Sequence, residues 1–420
     1  MRVSIITETW PPEINGVALT VHGLAHGLAA RGHAVQVVRP RQSGGAGQDD
    51  AVTTLAVRGA ALPRYPGLRF GLPCGGRLSR DWSDKAPDVV YIATEGPLGV
   101  SAMNAAERLR IPCCTGFHTR FDEYVGHYGL GWLRPIATAH LRRFHNRAAA
   151  TLVPTRALAG ELTELGVDNA CLLRRAVDTK LFHPSRRDEQ LRKSWSARDD
   201  DPVMIYVGRI APEKNLHLAV QAFRKLQARM PNARFVWVGD GPTRAELAAH
   251  NPDFIFSGTQ IGEQLARHFA SADLFVFPSL TETFGNVTLE AMASGLAVVA
   301  FDQGAAHEHI ANGISGMRVL ADEPQAFLSA AYAFGVDDVL RGAVRQNARM
   351  AVAALAPEAV IADFESILRR LGERAWPRCC RCPDLTVTFA SSPTAGARAV
   401  PWARSSARSA VSATASSGTR

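Results

Sequence analysis

A chain of 420 residues, 46% of them hydrophobic and with ordinary glycine and proline usage, has the length for two domains with large cores. Its formal net charge of +8 is uneven, because residues 376–420 hold six arginines against one aspartate and supply +5, which leaves +3 for residues 1–375. No apolar run is long enough to read as a membrane helix, no cationic stretch with an apolar block opens the chain, and seven cysteines without regular spacing give no disulfide framework, so a cytoplasmic protein is expected.

In chain order, Val3–Thr7 reads as a strand, and Pro11-Pro12-Glu13-Ile14-Asn15-Gly16-Val17 links it to a helix carrying Val17, Val21, Leu24 and Leu28 on one side. Gly16 allows a backbone amide to approach phosphate where that helix starts. Gly32-His33 turns the chain into the strand Ala34–Val38. Residues Arg41 to Arg80 are less regular, and Gly44-Gly45-Ala46-Gly47 within them lacks the spacing of a dinucleotide fingerprint. Strands at Val89–Ile92, Ile111–Gly116 and Thr151–Val153 continue the alternation of a doubly wound parallel sheet. His118, in Gly116-Phe117-His118-Thr119-Arg120, follows a strand and faces the crevice, where it suits polar contact with a sugar. Residues 124–160 carry Arg134, Arg142, Arg143, Arg147 and Arg156 and no acid, interleaved with Tyr128, Trp132, Leu133, Ile136, Leu141 and Phe144. That predicts a basic amphipathic surface suited to anionic lipid head groups, with Trp132 at the interface. Nucleic acid would use the same charges, but no recognition module accompanies them.

Composition turns polar and charged from Asp178 to Asp201, which marks a boundary before a second βα series. Four regions are expected: a Rossmann-like domain over 1–178, a second over 179–356, a terminal helix over 357–375, and a disordered basic tail over 376–420. Val203–Val207 is the first strand of the second series, and Gly208-Arg209-Ile210-Ala211-Pro212-Glu213-Lys214-Asn215 follows it, which puts Arg209 and Lys214 where a diphosphate would be clamped. Asp199-Asp200-Asp201 precedes that strand rather than following it, and Cys379-Cys380-Arg381-Cys382 lacks paired spacing, so no metal site is expected. Gly239-Asp240-Gly241-Pro242, after the strand Phe235–Val238, makes a tight turn open to a base or ribose; Arg244 stands where a third glycine would be needed, which disfavours hydride transfer. After the strand Leu274–Phe277, the run Glu282-Thr-Phe-Gly-Asn-Val-Thr-Leu-Glu290 leads into a helix. Glu282 would hang in the crevice and Glu290 stand two turns into the helix, while the amides of Phe284, Gly285 and Asn286 lie at its positive end and favour phosphate. Ala297–Ala300 is a further strand, and the last helix, Glu358–Leu371, shows one apolar stripe of Val360, Ile361, Phe364, Ile367, Leu368 and Leu371.

Glu-Thr-Trp-Pro-Pro-Glu-Ile-Asn-Gly-Val at 8–17, Gly-Phe-His-Thr at 116–119, Val-Gly-Arg-Ile-Ala-Pro-Glu-Lys-Asn at 207–215 and Pro-Ser-Leu-Thr-Glu-Thr-Phe-Gly-Asn-Val-Thr-Leu-Glu-Ala-Met-Ala-Ser-Gly at 278–295 resemble a retaining glycosyltransferase of family 4, over residues 1 to about 372. The GDP-mannose-dependent α-mannosyltransferases and related glycolipid synthases are the subgroup it resembles most. The resemblance implies the GT-B fold, two Rossmann-like domains facing across a deep cleft, with the last helix crossing back to the first. It implies that Glu282 binds donor sugar hydroxyls, Glu290 the ribose, Arg209 and Lys214 the diphosphate, Gly16 the phosphate from the opposite domain, and His118 the sugar at the reaction centre. The reaction expected is metal-independent, retaining transfer of a hexose, mannose from GDP-mannose, to a lipid or glycan hydroxyl at the cytosolic face of a membrane, with no cofactor beyond the nucleotide-sugar donor. A UDP-sugar transferase of the same fold, a sugar-nucleotide epimerase and a non-catalytic sensor are the rival readings. Ala176, in Arg175-Ala176-Val177-Asp178, departs from the family's glycine at the interdomain turn.

Overall fold

Short, fully apolar strands dominate both halves of the chain, and such strands are stable only when covered on both faces. In the computed structural model, which describes residues 1–13, 15–42, 50–61, 69–118 and 134–373, they build two parallel sheets. The first half supplies β1 (Arg2–Ile6), β2 (Ala34–Pro40), β3 (Thr53–Val57), a small hairpin of β4 (Gly59–Ala61) and β5 (Arg69–Gly71), then β6 (Val89–Ile92), β7 (Cys113–Gly116), β8 (Ala150–Val153) and β9 (Ala170–Leu172). Apart from the hairpin these form one seven-stranded sheet in the order β3-β2-β1-β6-β7-β8-β9. Val3 pairs with Val35 on one side and Val89 on the other, so β1 and β6 flank the point where strand order reverses.

The second half supplies β10 (Val203–Val207), β11 (Arg234–Val238), β12 (Ile255–Gly258), β13 (Leu274–Phe277), β14 (Ala297–Phe301) and β15 (Met317–Val319), in the order β12-β11-β10-β13-β14-β15. Here the reversal lies between β10 and β13. In open α/β sheets ligands bind outside the carboxyl ends of the strands at such a reversal. The segments leaving β10 and β13 there are those that carry Arg209, Lys214 and Glu282.

The sequence pattern left the stretch from Arg41 to Arg80 without elements, yet it holds β3, the hairpin and a helix, Gly75–Asp84. β9, β12 and β15 were likewise not expected. The final helix, Pro357–Glu373, lies on the first sheet: Val360, Phe364, Ile367, Leu368 and Leu371 share one buried cluster with Val3, Ile5, Val21, Leu24 and Leu28. A Cβ built on Gly27 would stand 2.1 Å from Ile361 Cδ1, so a glycine lets the first helix, Gly16–Ala30, touch the last one. Ile14, Gly44 to Gly47, Thr119, Arg120, Tyr128, Trp132, Leu133, the Cys379 to Cys382 run and the tail 376–420 lie outside the described residues.

Candidate active site

Two loops meet at the reversal of the second sheet. The loop after β10 ends in a short turn, Pro212–Lys214, and Asn215 then takes a left-handed conformation at φ 50°, which redirects the chain into the helix Leu216–Gln227. That turn sends Lys214 across to the loop after β13. Its Nζ lies 2.5 Å from Glu282 Oε1, 3.2 Å from Ser279 Oγ and 3.3 Å from the Thr281 carbonyl oxygen, all of which accept hydrogen bonds from it. Ser279 Oγ also donates to Glu282 Oε1 at 2.9 Å. Lys214 and Glu282 are each 15% exposed, so the pair is shielded from water on most sides while its rim stays open. The same loop is held from beneath by Gln303, whose Nε2 donates to the Ser279 carbonyl. Tyr206 lies below, donating to the Arg209 carbonyl at 2.9 Å, and burial, with Glu282 and Glu213 nearby, pushes its phenol well above the usual range.

Arg209 is placed differently. Its guanidinium lies 3.6 Å from Glu213 and its side chain is 46% exposed, which puts it at the mouth of the crevice. Gly239, expected to admit a base or ribose, serves the packing of two loops. At φ +137° a Cβ there would lie 2.0 Å from the Gly208 carbonyl oxygen, so the glycine lets the turn after β11 rest on the loop that carries Arg209.

The helix after Glu282 runs Asn286–Ala293, with Gly285 as its N-cap at φ 83° and no side chain capping it. Its first amides are therefore free of any capping side chain. Phe284, whose ring is buried, is anchored through its carbonyl, which accepts from Ala305 N at 2.6 Å. Glu290 stands only four residues past Asn286, little more than one turn in rather than two. Its Oε2 is buried without a hydrogen-bond partner, and burial pushes the carboxyl up to about 7. An acid kept in that condition wants a hydroxyl donor.

From the first domain, Asn15 caps the helix Gly16–Ala30 by accepting from Ala18 N at 2.8 Å. A Cβ on Gly16 would lie 3.6 Å from Asn286 Nδ2, so the start of this helix faces the start of the helix that follows Glu282. Two positive helix ends thus face one another across the two sheets. His118 sits at the end of β7, 8% exposed, with Nε2 2.8 Å from the Tyr91 hydroxyl and Nδ1 2.5 Å from Arg175 Nη2. Burial, then Arg175 and His145, hold it well below the ordinary imidazole range.

Sequence reasoning missed Ser279, Thr281, Tyr91, Tyr206, Arg175 and Gln303. Ser279 and Thr281 lay inside a motif read for its glutamates and for the backbone amides of Phe284, Gly285 and Asn286, and Arg175 inside a segment read only for its turn. Ala176 is not among the described residues with positive φ, which besides glycines are Arg110, Ser196 and Asn215, so alanine is accommodated there without strain. The expected basic surface is smaller than its sequence suggested. Arg147 pairs with Glu107 at 2.7 Å and Arg156 with Glu308 of the second domain at 3.2 Å, while Arg142 and Arg143 are exposed. Among the described residues no group of three or more His, Cys, Asp or Glu is placed to hold a metal ion.

Residues 14–181 match the family model described as Glycosyltransferase Family 4, and residues 201–334 match that of Glycosyl transferases group 1. The chain is 31% identical to a GDP-mannose-dependent alpha-mannosyltransferase of Mycobacterium tuberculosis, over 90% of this chain and 94% of that protein. It is 33% identical to the protein of the same description from Mycolicibacterium smegmatis, over 89% of this chain and 100% of that one. Among solved structures, the sucrose-phosphate synthase of Thermosynechococcus elongatus superposes with a TM-score of 0.72 at 19% identity, covering 88% of this chain and 98% of that one. The chain therefore belongs to glycosyltransferase family 4, and is a hexosyltransferase with the GT-B fold.

Proposed function

We propose that this cleft transfers mannose from GDP-mannose, with retention of configuration and without a metal ion, to a hydroxyl of a lipid or glycan. The observation that carries the reading is Lys214, whose ammonium bridges Glu282, Ser279 and the Thr281 carbonyl at the reversal of the second sheet. Leaving-group departure puts negative charge on a diphosphate, and fixed cations and helix N-termini in a shielded site stabilise that charge without reorganising. Lys214 and the opposed helix starts at Gly16 and at Gly285-Asn286 supply it, with Arg209 entering from the mouth. Glu282 accepts hydrogen bonds from hydroxyls of the sugar, and Glu290 Oε2 from the ribose. As the bond from sugar C1 to the phosphate oxygen breaks, the acceptor oxygen bonds to C1 from the same face, and its proton passes to the departing phosphate. Similarity to the two GDP-mannose-dependent relatives favours guanine and mannose over other donors.

A bound donor stabilises the folded chain by mass action. GDP-mannose is expected to raise the melting temperature more than UDP-glucose or ADP-glucose at equal concentration, and Lys214→Ala to remove the rise while circular dichroism stays native. A larger shift with UDP-glucose would transfer the reading to a UDP-sugar donor; an equal shift in Lys214→Ala would remove the lysine from the site.

A further inference from the structure

His118 has both ring nitrogens engaged, and one partner decides where the ring proton sits. A guanidinium carries donors only, and burial lowers that of Arg175 no further than about 10, so it is charged at neutral pH. His118 Nδ1, 2.5 Å from Arg175 Nη2, must then hold the lone pair. The proton resides on Nε2 and is donated to the Tyr91 oxygen, 2.8 Å away. A Cβ on Gly116 would stand 2.3 Å from the Tyr91 hydroxyl and 2.5 Å from His118 Nε2, so only glycine lets ring and phenol meet. Among the described residues, the groups facing the imidazole are Tyr91 from β6, Arg175 from the turn between the sheets, and His145 from the helix Arg134–His145, itself bonded through Nδ1 to Thr115 Oγ1 at 2.8 Å.

We propose that Arg175 is a positioning residue for the reaction centre: it locks His118 as the neutral tautomer protonated on Nε2 and ties that ring to the interdomain turn. The turn is itself anchored. Arg174 Nη2 pairs with Asp363 at 3.0 Å, and Val177 N donates to the Leu355 carbonyl at 2.9 Å. Phe364 of the last helix packs edge-on against Tyr91 at 5.1 Å. The segment that joins the domains and the helix that crosses back thus both set the orientation of His118. The chemical gain is charge. Glycosyl transfer passes through a sugar ring with cationic character, and an imidazolium beside it would oppose that charge, whereas a ring that cannot protonate adds none. This role rests on the proposed transfer and on His118 lying at the sugar.

Nitrogen NMR of the full chain with labelled histidine reads the tautomer without substrate. In the wild type, His118 is expected to show a bare Nδ1, a protonated Nε2 and no titration in the ordinary imidazole range. Arg175→Met is expected to let the ring titrate and to lower kcat about 100-fold at pH 6, with a smaller loss at pH 8, while donor KM and the nucleotide-induced thermal shift stay at wild-type values. Arg175→Lys, which keeps a cation and one donor, should restore part of the rate. Should Arg175→Met fail to fold, Tyr91→Phe decides, because it keeps the Arg175 bond and must keep the ring neutral. A wild-type proton on Nδ1, a ring that charges in Tyr91→Phe, or a wild-type kcat in Arg175→Met would overturn the proposal. A wild type inactive toward every nucleotide sugar would defeat the transfer reading and the positioning role with it, while the tautomer would still be read directly.

Discussion

Glu290 shows at the scale of one residue how a buried, unpartnered carboxyl costs stability. Its carboxyl is raised from 4.5 to about 7 by burial, so the folded chain holds a proton more tightly than the unfolded one. For a raised acid the sign is fixed: the contribution to stability is greatest below about pH 4.5 and declines as pH rises through about 7. Glu290→Gln removes that decline. The variant is expected to melt higher than the wild type at about pH 8, by up to about 3 kcal/mol of stability, and to match it near about pH 4. If the proposed ribose contact holds, it should also lose affinity for a nucleoside diphosphate, since an amide puts an N–H donor in place of one of the two carboxylate acceptors. Melting curves at both pH values check this, and a variant less stable than wild type at pH 8 would mean the carboxylate has a partner when folded. The place of Glu282 on the loop after β13 was legible in the sequence because topology sets which loops leave the strand ends at a reversal, whereas the depth of Glu290 in its helix was read one turn too far. The orphaned Oε2 was not legible, since burial of a single atom depends on side chains distant along the chain.

Among the strands, legibility followed burial. β6, β10 and β13 are buried along their whole length and read as unbroken apolar runs, and β8, equally buried, is interrupted only by Thr151. Apart from the β4-β5 hairpin, the strands the pattern missed, β3, β9, β12 and β15, are the edges of the two sheets, and each is partly exposed. An edge strand is covered less, tolerates polar residues and so loses the signal that marks its neighbours. The helix Pro357–Glu373 had a clear apolar stripe, but a stripe does not name the surface that covers it. Here that surface is the first sheet, where Phe364 is fully buried. Phe364→Ala is expected to cost about 3–5 kcal/mol through the cavity it leaves. Chemical denaturation would measure it, and a loss below about 1 kcal/mol would show that the helix contributes little to the first domain.

For the whole molecule, local composition misjudged the surface charge. Five arginines without an acid in residues 124–160 predicted a broad basic face, but acids from other elements neutralise part of it: Glu107 binds Arg147, and Glu308 reaches from the second domain to Arg156. The Arg156 bond joins a helix of the first domain to one of the second, and Lys180 pairs with Glu358 of the last helix at 3.3 Å. Exposed Arg142 and Arg143, with the 64% exposed Ile136, remain as the described part of the proposed lipid-facing surface. If this surface meets a membrane, the chain should sediment with vesicles containing phosphatidylglycerol and not with neutral ones, and Arg142→Glu with Arg143→Glu should weaken that by about 30-fold or more, each cation near an anionic surface contributing about 1 kcal/mol. Equal binding to neutral vesicles would remove the electrostatic part of the membrane reading.

The most direct test follows the sugar itself. The full chain is incubated with GDP-mannose labelled in the sugar, a total lipid extract and a chelator of divalent metals. The label is expected to move to lipid in α linkage with the wild type and to stay on the nucleotide with Lys214→Ala and Glu282→Ala. Transfer by either variant at the wild-type rate, a β-linked product, or a wild type that transfers only when a divalent metal is restored would contradict the account.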